Sequence, residues 1–373
     1  MAGRHAPPPA QGRRGTRPER TAGVSDLQTH GLPGLDLVAF RRWYDEQRPG
    51  EIAGELRARV IAGGRSNLTY EVTDGDSWWI VRRPPLGHVQ ATAHDMGREY
   101  TAMSALADTA VPVPTTYAHC PDPEVLGAPF YVMERVAGTA YRSVAQLAPL
   151  GPERTATIAG RMIVVLATLH AVEPASVGLA EFGRPEGFLE RQVRRWGQQL
   201  AGSKTTDRPD ADELHRRLAA RVPEDDDDWV GIVHGDYRLD NLLVCTDDRI
   251  KAVVDWEMAT LGDARTDLAL LLVYDRLAEL PAAGLVSDVS TAPGYPTGEE
   301  HLARYAAARG RDLGDLRSGM RFHLGLAYFK LAVILEGIHY RFLQGATVGD
   351  GFDQIGTGFD PLITAGLSAL GED

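Results

Sequence analysis

Four residues in the stretch 231–263, GIVHGDYRLDNLLVCTDDRIKAVVDWEMATLGD, have types and spacing suited to chemistry: His234, Asp236, Asn241 and Asp255. Each follows or interrupts a short apolar run, so each is expected in a loop at a strand end, where a rigid scaffold holds reactive groups well. Two carboxylates and an amide oxygen are hard donors that match magnesium better than zinc. Magnesium takes one or two protein carboxylates and completes its shell with water and phosphate. Asn241 with Asp255 meets that need and leaves Asp236 to accept a proton. A zinc site of His234, Asp236 and Asp255 is the competing possibility. Catalytic zinc usually recruits two or three His, and the other ten His are scattered without an HxH or HExxH pair. His234 is expected to hold the loop through a hydrogen bond to a backbone carbonyl. GSKTT at 202–206 looks like the end of a phosphate loop, but it follows a helical pattern where that motif needs a strand.

The elements that must position these residues fall into two groups. Residues 1–25 hold five Arg and eight Pro or Gly with almost no large apolar group, so a disordered basic arm is expected. LDLVAFRRWYDEQ places Leu37, Phe40 and Tyr44 on one helical face. Leu68, Tyr70 and Val72 then alternate as a strand, DGDS supplies a hairpin turn, and Trp78 to Val81 form the return strand. HDMGREYTAMSALA reads as a helix, and VPVPTTYAHC and APFYVMERV as further strands. After Gly138 helices dominate, as in RTATIAGRMIVVLATLH with its stripe of Ile158, Met162, Val165, Leu166 and Leu169. Short strands at Gly231–Val233, Leu242–Val244 and Ala252–Val254 interrupt them. Helices return at TDLALLLVYDRL, GEEHLARYAAARG and RSGMRFHLGLAYFKLAVILEGIHYRFL. The predicted fold is α+β and bilobal: an N-terminal lobe over 26–135 with a small sheet and one helix, then a mainly helical lobe over 136–373.

Composition narrows the partners. Net charge is −12, which argues against nucleic acid, since phosphate backbones need a basic face. Two cysteines, Cys120 and Cys245, exclude a disulfide framework and suit a reducing cytoplasm. The longest uninterrupted apolar run, Leu268 to Tyr274, is too short to cross a bilayer, so no membrane is expected. Lys204, Lys251 and Lys330 are the only lysines among 39 basic residues. A cationic anchor in the first half must therefore be Arg.

HGDYRLDN at 234–241 fits H-x-D-x-x-x-x-N, and Asp255-Trp-Glu stands where protein kinases carry Asp-Phe-Gly. Together these resemble the aminoglycoside phosphotransferase family, a branch of the protein-kinase-like fold, over about residues 35–345. The wording REY, APFYVMERV, HGDYRLDNLLV and DWEMATLGD is most similar to the kinase-like domains related to those fused to acyl-CoA dehydrogenases. The resemblance implies an enzyme using ATP, with GTP possible, and Mg2+. It implies Asp236 as the catalytic base, Arg238 near the transferred phosphoryl group, His234 in the same catalytic loop, and Asn241 and Asp255 on magnesium. It also implies that Asp267 hydrogen-bonds the catalytic loop, a simple N-cap acid being the alternative. In the first lobe it puts Gly63, Gly64 and Ser66 in the glycine-rich loop and Arg82 in the place of the phosphate-pairing Lys. Glu99 would orient that arginine, with Arg83 as the alternative anchor. Met133, Glu134 and Val136 would form the hinge that meets the adenine.

The function that follows is transfer of the γ-phosphoryl group to a hydroxyl of a small molecule, either aminoglycoside-like or a hydroxyacyl thioester. A non-catalytic, pseudokinase-like nucleotide-binding module is the alternative. A polycationic aminoglycoside needs acidic groups, for which Glu299 and Glu300 are candidates. Tyr295, His339, Tyr340 and Arg341 are candidate pocket residues.

Overall fold

Strand alternation builds the first lobe. β1 (Arg57–Val60), β2 (Leu68–Thr73), β3 (Trp78–Arg83), β4 (Thr116–Cys120) and β5 (Phe130–Glu134) form one antiparallel sheet in the order β1-β2-β3-β5-β4. The computed structural model describes residues 27–61, 67–86, 95–278, 287–345 and 352–371. The expected basic arm and the glycine-rich loop residues Gly63, Gly64 and Ser66 lie outside them. In the β2–β3 turn, Asp74 Oδ1 accepts from the backbone N–H groups of Asp76 (3.0 Å) and Ser77 (2.8 Å), the Asx pattern that short acids provide in turns.

Each face of the sheet has its own helix. α1 (Leu37–Gln47), capped by Asp36, buries Leu37, Phe40 and Tyr44, the face expected from their spacing. They join Tyr70, Val72, Trp79, Val81, Phe130 and Val132 in one core. α2 (Met96–Leu106) covers the opposite face, where Met96, Met103 and Leu106 cluster with Ile80, Tyr131 and Met133. Successive β3 side chains therefore alternate between two environments. Trp79 and Val81 belong to the α1 core and Ile80 to the α2 side. α3 (Pro123–Leu126) and α4 (Val144–Leu147) are single turns.

The second lobe packs α5 (Pro152–His170), α6 (Phe188–Ser203), α7 (Pro209–Ala220), α8 (Arg265–Leu277), α9 (Gly298–Arg309), α10 (Leu313–Leu343) and α11 (Phe359–Leu370) around a single core. Two small antiparallel pairs are set into it: β6 (Val230–Val233) with β9 (Thr260–Asp263), and β7 (Leu242–Val244) with β8 (Ile250–Val253). Two of these elements leave no local signal in the sequence. β9, TLGD, has one large apolar residue and no alternation to betray it, and α11 follows a Gly-rich segment. α10 carries 31 residues and is long and apolar enough to cross a membrane by length and composition, yet 72% of its most apolar window is buried within the protein. Its Arg, His, Lys and Glu residues interrupt the run that a search for contiguous apolar residues detects. Here it is the central helix of the lobe, against which α6, α8 and α11 pack.

Candidate active site

The loop leaving β6 is held by one buried acid. Asp267, in the first turn of α8, accepts the backbone N–H of His234 at Oδ2 (2.6 Å) and that of Gly235 at Oδ1 (2.8 Å). His170 Nε2 lies 3.2 Å from Oδ2. Burial pushes the Asp267 carboxyl up, but His170, His234 and the Gly235 N–H outweigh it and hold the pKa below the usual carboxylate value. Of the two possibilities for Asp267, the loop contact is the one present; the first helical turn leaves it inside the protein, facing the loop. Gly235 has φ +85°, and a Cβ there would lie 2.7 Å from both Cβ and O of Met258. Only glycine lets the loop turn left-handed against that segment.

His234 is fully buried. Its Nε2 donates to Val254 O (3.1 Å) and its Nδ1 accepts from the Asp236 N–H (3.3 Å). Both ring nitrogens are thereby committed to backbone. The imidazole ties the loop to the segment before Asp255 and has no nitrogen left for a metal.

Asp236 is the focus of the loop. Tyr274 Oη donates to its Oδ1 (2.8 Å), and Asn241 Nδ2 donates to its Oδ2 (3.0 Å) and to its carbonyl (2.9 Å). Arg238 Nε is 3.4 Å from Asp236 Oδ2, while Arg238 Nη2 is 3.1 Å from Asp240 Oδ2. The guanidinium lies 5.2 Å from the Tyr274 ring centre. Burial works against the Arg238 charge, but Asp236 and Asp240 more than restore it. A carboxylate fixed by two donors and flanked by a cation is oriented as a proton acceptor needs to be.

Asp255 follows the β7–β8 pair. Its backbone is left-handed (φ 68°, ψ 59°), a region few non-glycine residues enter but which Asp tolerates. It stands between β8 and the short turn Trp256–Met258. Arg82 Nη2 hydrogen-bonds Asp255 Oδ1, and Arg82 Nε lies 3.1 Å from Glu99 Oε2, close enough for an ion pair though off line for a hydrogen bond. Tyr131 Oη donates to Glu99 Oε2 (2.9 Å), and Asn67 Nδ2 bridges Glu99 Oε1 (3.2 Å) and Glu257 Oε2 (2.9 Å). Burial pushes the Glu99 carboxyl up to about 7, with Arg82 opposing it. The strand pleat answers which arginine reaches the cleft. Arg83 points into the α1 side, donating to the carbonyls of Gly34 (2.7 Å) and Leu126 (2.7 Å). It anchors chain segments and reaches no phosphate position.

A divalent cation fits the remaining donors. Asn241 spends its amide nitrogen on Asp236, and Asp255 spends Oδ1 on Arg82. Among the described residues, Asn241 Oδ1 and Asp255 Oδ2 take part in no hydrogen bond. Two unpartnered hard oxygens, with the Asp255 side chain about a quarter exposed, suit magnesium, which takes few protein ligands and fills its shell with water and substrate phosphate.

At the hinge, Met133 is buried, and the Glu134 N–H is already given to Thr115 O (2.7 Å). The Glu134 N–H, one of the groups expected to meet the adenine, is therefore already engaged. Val136, half exposed, makes no backbone hydrogen bond among the described residues.

A cavity of about 500 Å³ opens beside Gly235, bounded by α6, α10 and the segment Glu257–Thr260. None of Tyr295, His339, Tyr340, Arg341, Glu299 and Glu300 lines it. Tyr295 lines a separate small pocket with Arg238, Asp240 and Tyr274, and its Oη donates to partly buried Asp275 (2.9 Å); Glu299 pairs with Arg317, and Glu300 closes the capping box of α9 with Thr297. The lining comes from Arg191, Arg195 and Trp196 of α6 and from His323 and Lys330 of α10. Their signal was present as RQVRRW, but a basic helix face reads equally as solvated surface. GSKTT spans the end of α6, and its Lys204 is paired with Asp212 (2.7 Å).

Comparison with known proteins places this geometry. The sequence pattern described as the phosphotransferase enzyme family matches residues 57–301. Acyl-CoA dehydrogenase family member 11 of Gallus gallus is 34% identical over 324 residues, covering 86% of this chain and 41% of the relative. The chain thus spans about two fifths of the length of that relative. A Ralstonia eutropha structure provisionally named as an aminoglycoside phosphotransferase superposes with TM-score 0.76 and 31% identity, covering 90% of this chain and 98% of the other. The GDP and kanamycin complex of APH(2″)-IIIa shares the fold at TM-score 0.57 and 15% identity, covering 88% and 98%.

Proposed function

The chain belongs to the phosphotransferase enzyme family, and from that premise we propose that it transfers the γ-phosphoryl group of ATP, with GTP as a possible donor, to a hydroxyl of a small molecule. The acceptor classes are an aminoglycoside-like alcohol or a hydroxyacyl thioester. The observation that carries the reading is that Asp236, fixed by Tyr274 and Asn241, is tied to the segment of Asp255: the Asn241 carbonyl accepts the Val254 N–H (3.0 Å) and the Arg238 guanidinium feels both carboxylates, while Asp255 is joined through Arg82 to Glu99.

The chemistry assigned to these groups is positioning and charge neutralisation, which phosphoryl transfer chiefly demands. As the acceptor oxygen bonds to the γ-phosphorus, the bond from that phosphorus to the β–γ bridging oxygen breaks and the nucleoside diphosphate leaves. The hydroxyl proton passes to the Asp236 carboxylate. Asn241 and Asp255 would hold magnesium, which when bound offsets the charge of the phosphates. Arg82 is never neutral, and its fork suits phosphate oxygens. Glu99 sets the direction of that fork. Arg238 stabilises the Asp236 charge before transfer.

The test is ADP release across a panel of aminoglycosides, macrolides, choline-like alcohols and hydroxyacyl thioesters, with Asp236→Asn in parallel. The expected result is acceptor-dependent ADP release that falls by about 10²–10⁴ in the variant, while nucleotide affinity changes little. Undiminished turnover by Asp236→Asn would remove the base assignment.

A further inference from the structure

The cavity beside the catalytic loop carries the opposite charge to the rest of the molecule. The chain has a net charge of −12, yet Arg98, Arg184, Arg191, Arg195 and Lys330 all line this one space. Its two carboxylates are otherwise engaged. Glu257 takes the amide of Asn67 (2.9 Å), and Asp267 takes the loop N–H groups and His170. Among the described residues, none of the five cations is ion-paired.

Backbone carbonyls hold three of these cations without neutralising them. Arg98 Nη2 donates to Phe182 O (2.7 Å) and Ala259 O (3.0 Å), and its guanidinium stacks 4.2 Å from the Phe182 ring centre. Arg191 donates to the carbonyls of Glu186 and Arg184. Lys330 Nζ donates to Gly235 O (3.1 Å), one residue from Asp236, and lies 5.7 Å from the Trp196 ring centre. Burial pushes the Lys330 ammonium down, with Asp236 and Asp267 opposing. Side chains fixed in this way lose little entropy when an anion arrives. A concave, low-dielectric wall also focuses their field. Phe188 and Trp196 add an apolar surface for the uncharged part of a ligand.

We infer that this cavity receives the phosphoryl acceptor and selects alcohols that bear phosphate or pyrophosphate groups remote from the reacting hydroxyl, while repelling polycationic aminoglycosides. The inference rests on the phosphotransferase reading and deepens it by naming the charge of the acceptor. Guanidinium forks match phosphate oxygens in pairs, and several cations around one cavity suit a ligand with more than one negative charge.

Two measurements test it. The first is calorimetric titration with sodium pyrophosphate in the presence of excess ADP, which needs no turnover. Saturable binding is expected, weakened about tenfold or more in Arg191→Gln/Arg195→Gln and in Arg195→Glu. Arg195 is exposed, so its variant keeps the fold if the double variant does not. Absence of saturable binding, competition by ADP, or equal binding by the variants overturns the assignment. The second is kcat/KM for matched alcohols with and without a phosphate group. The phosphate-bearing member is expected to lead, with its KM raised by Arg195→Glu and the KM for ATP unchanged. A neutral or polycationic alcohol used more efficiently also overturns it. Arg195-dependent pyrophosphate binding without turnover of any acceptor would keep the anion site and defeat the phosphotransferase reading instead.

Discussion

Replacing Glu99 with Gln isolates the energetic consequence of placing an ion pair inside the cleft. Glu99 is fully buried, and its carboxyl rises from the ordinary 4.5 to about 7. Each pKa step of one corresponds to about 1.4 kcal/mol, so holding Glu99 ionised in the folded protein costs about 3 kcal/mol relative to the unfolded chain. The sign follows from the direction of the change. Below pH 4.5 the group is protonated in both states and its contribution to stability is complete. As pH rises the unfolded chain releases the proton first, so stability declines and levels off only above about 7. Glu99→Gln has no proton to lose. Urea unfolding at pH 5, 6, 7 and 8 should therefore show the natural protein losing about 2–3 kcal/mol relative to the variant across that range. Asp275, also pushed up to about 7 by burial, has the same trend, but it is present in both proteins and cancels. Parallel stability profiles would refute the reasoning, because they would mean that Glu99 is either solvated or fully compensated by Arg82.

The other expectations concern neighbours of the same cleft. Arg82→Met should weaken nucleotide binding in calorimetry, whereas Arg83→Met should leave it intact and lower stability by about 1–3 kcal/mol, because buried carbonyls lose their donor. Asp255→Ala should abolish the magnesium-dependent part of ATP binding, read by titrations with and without the metal; an unchanged magnesium effect would dismiss Asp255 as a ligand. Gly235→Ala puts a methyl 2.7 Å from Met258 at φ +85°, so urea melts should show about 1–3 kcal/mol of destabilisation together with lost turnover.

Legibility in the sequence followed how local the determining interaction is. The loop residues His234, Asp236, Asn241 and Asp255 were readable because their spacing along two short strands is a property of neighbouring residues. The faces of α1 and β2 were readable for the same reason, since a period of 3.6 or 2 is written in the chain itself. β9 was not, because TLGD becomes a strand only by pairing with β6. The hinge was readable as a strand, but the engagement of the Glu134 N–H by Thr115 depends on a partner 19 residues away.

By itself, then, the order of residues determined the two-lobed architecture and the acid and amide groups of the loop, and with so few lysines it made an arginine the expected anchor. Only the tertiary structure decided that Arg82 rather than Arg83 faces the cleft, that Asp267 serves the loop, and that the cavity beside Gly235 is cationic. The physical reason is that side-chain direction and local charge are set by what packs opposite. Arg98, Arg191 and Lys330 are separated by up to 232 residues along the chain, and no local pattern states that they meet.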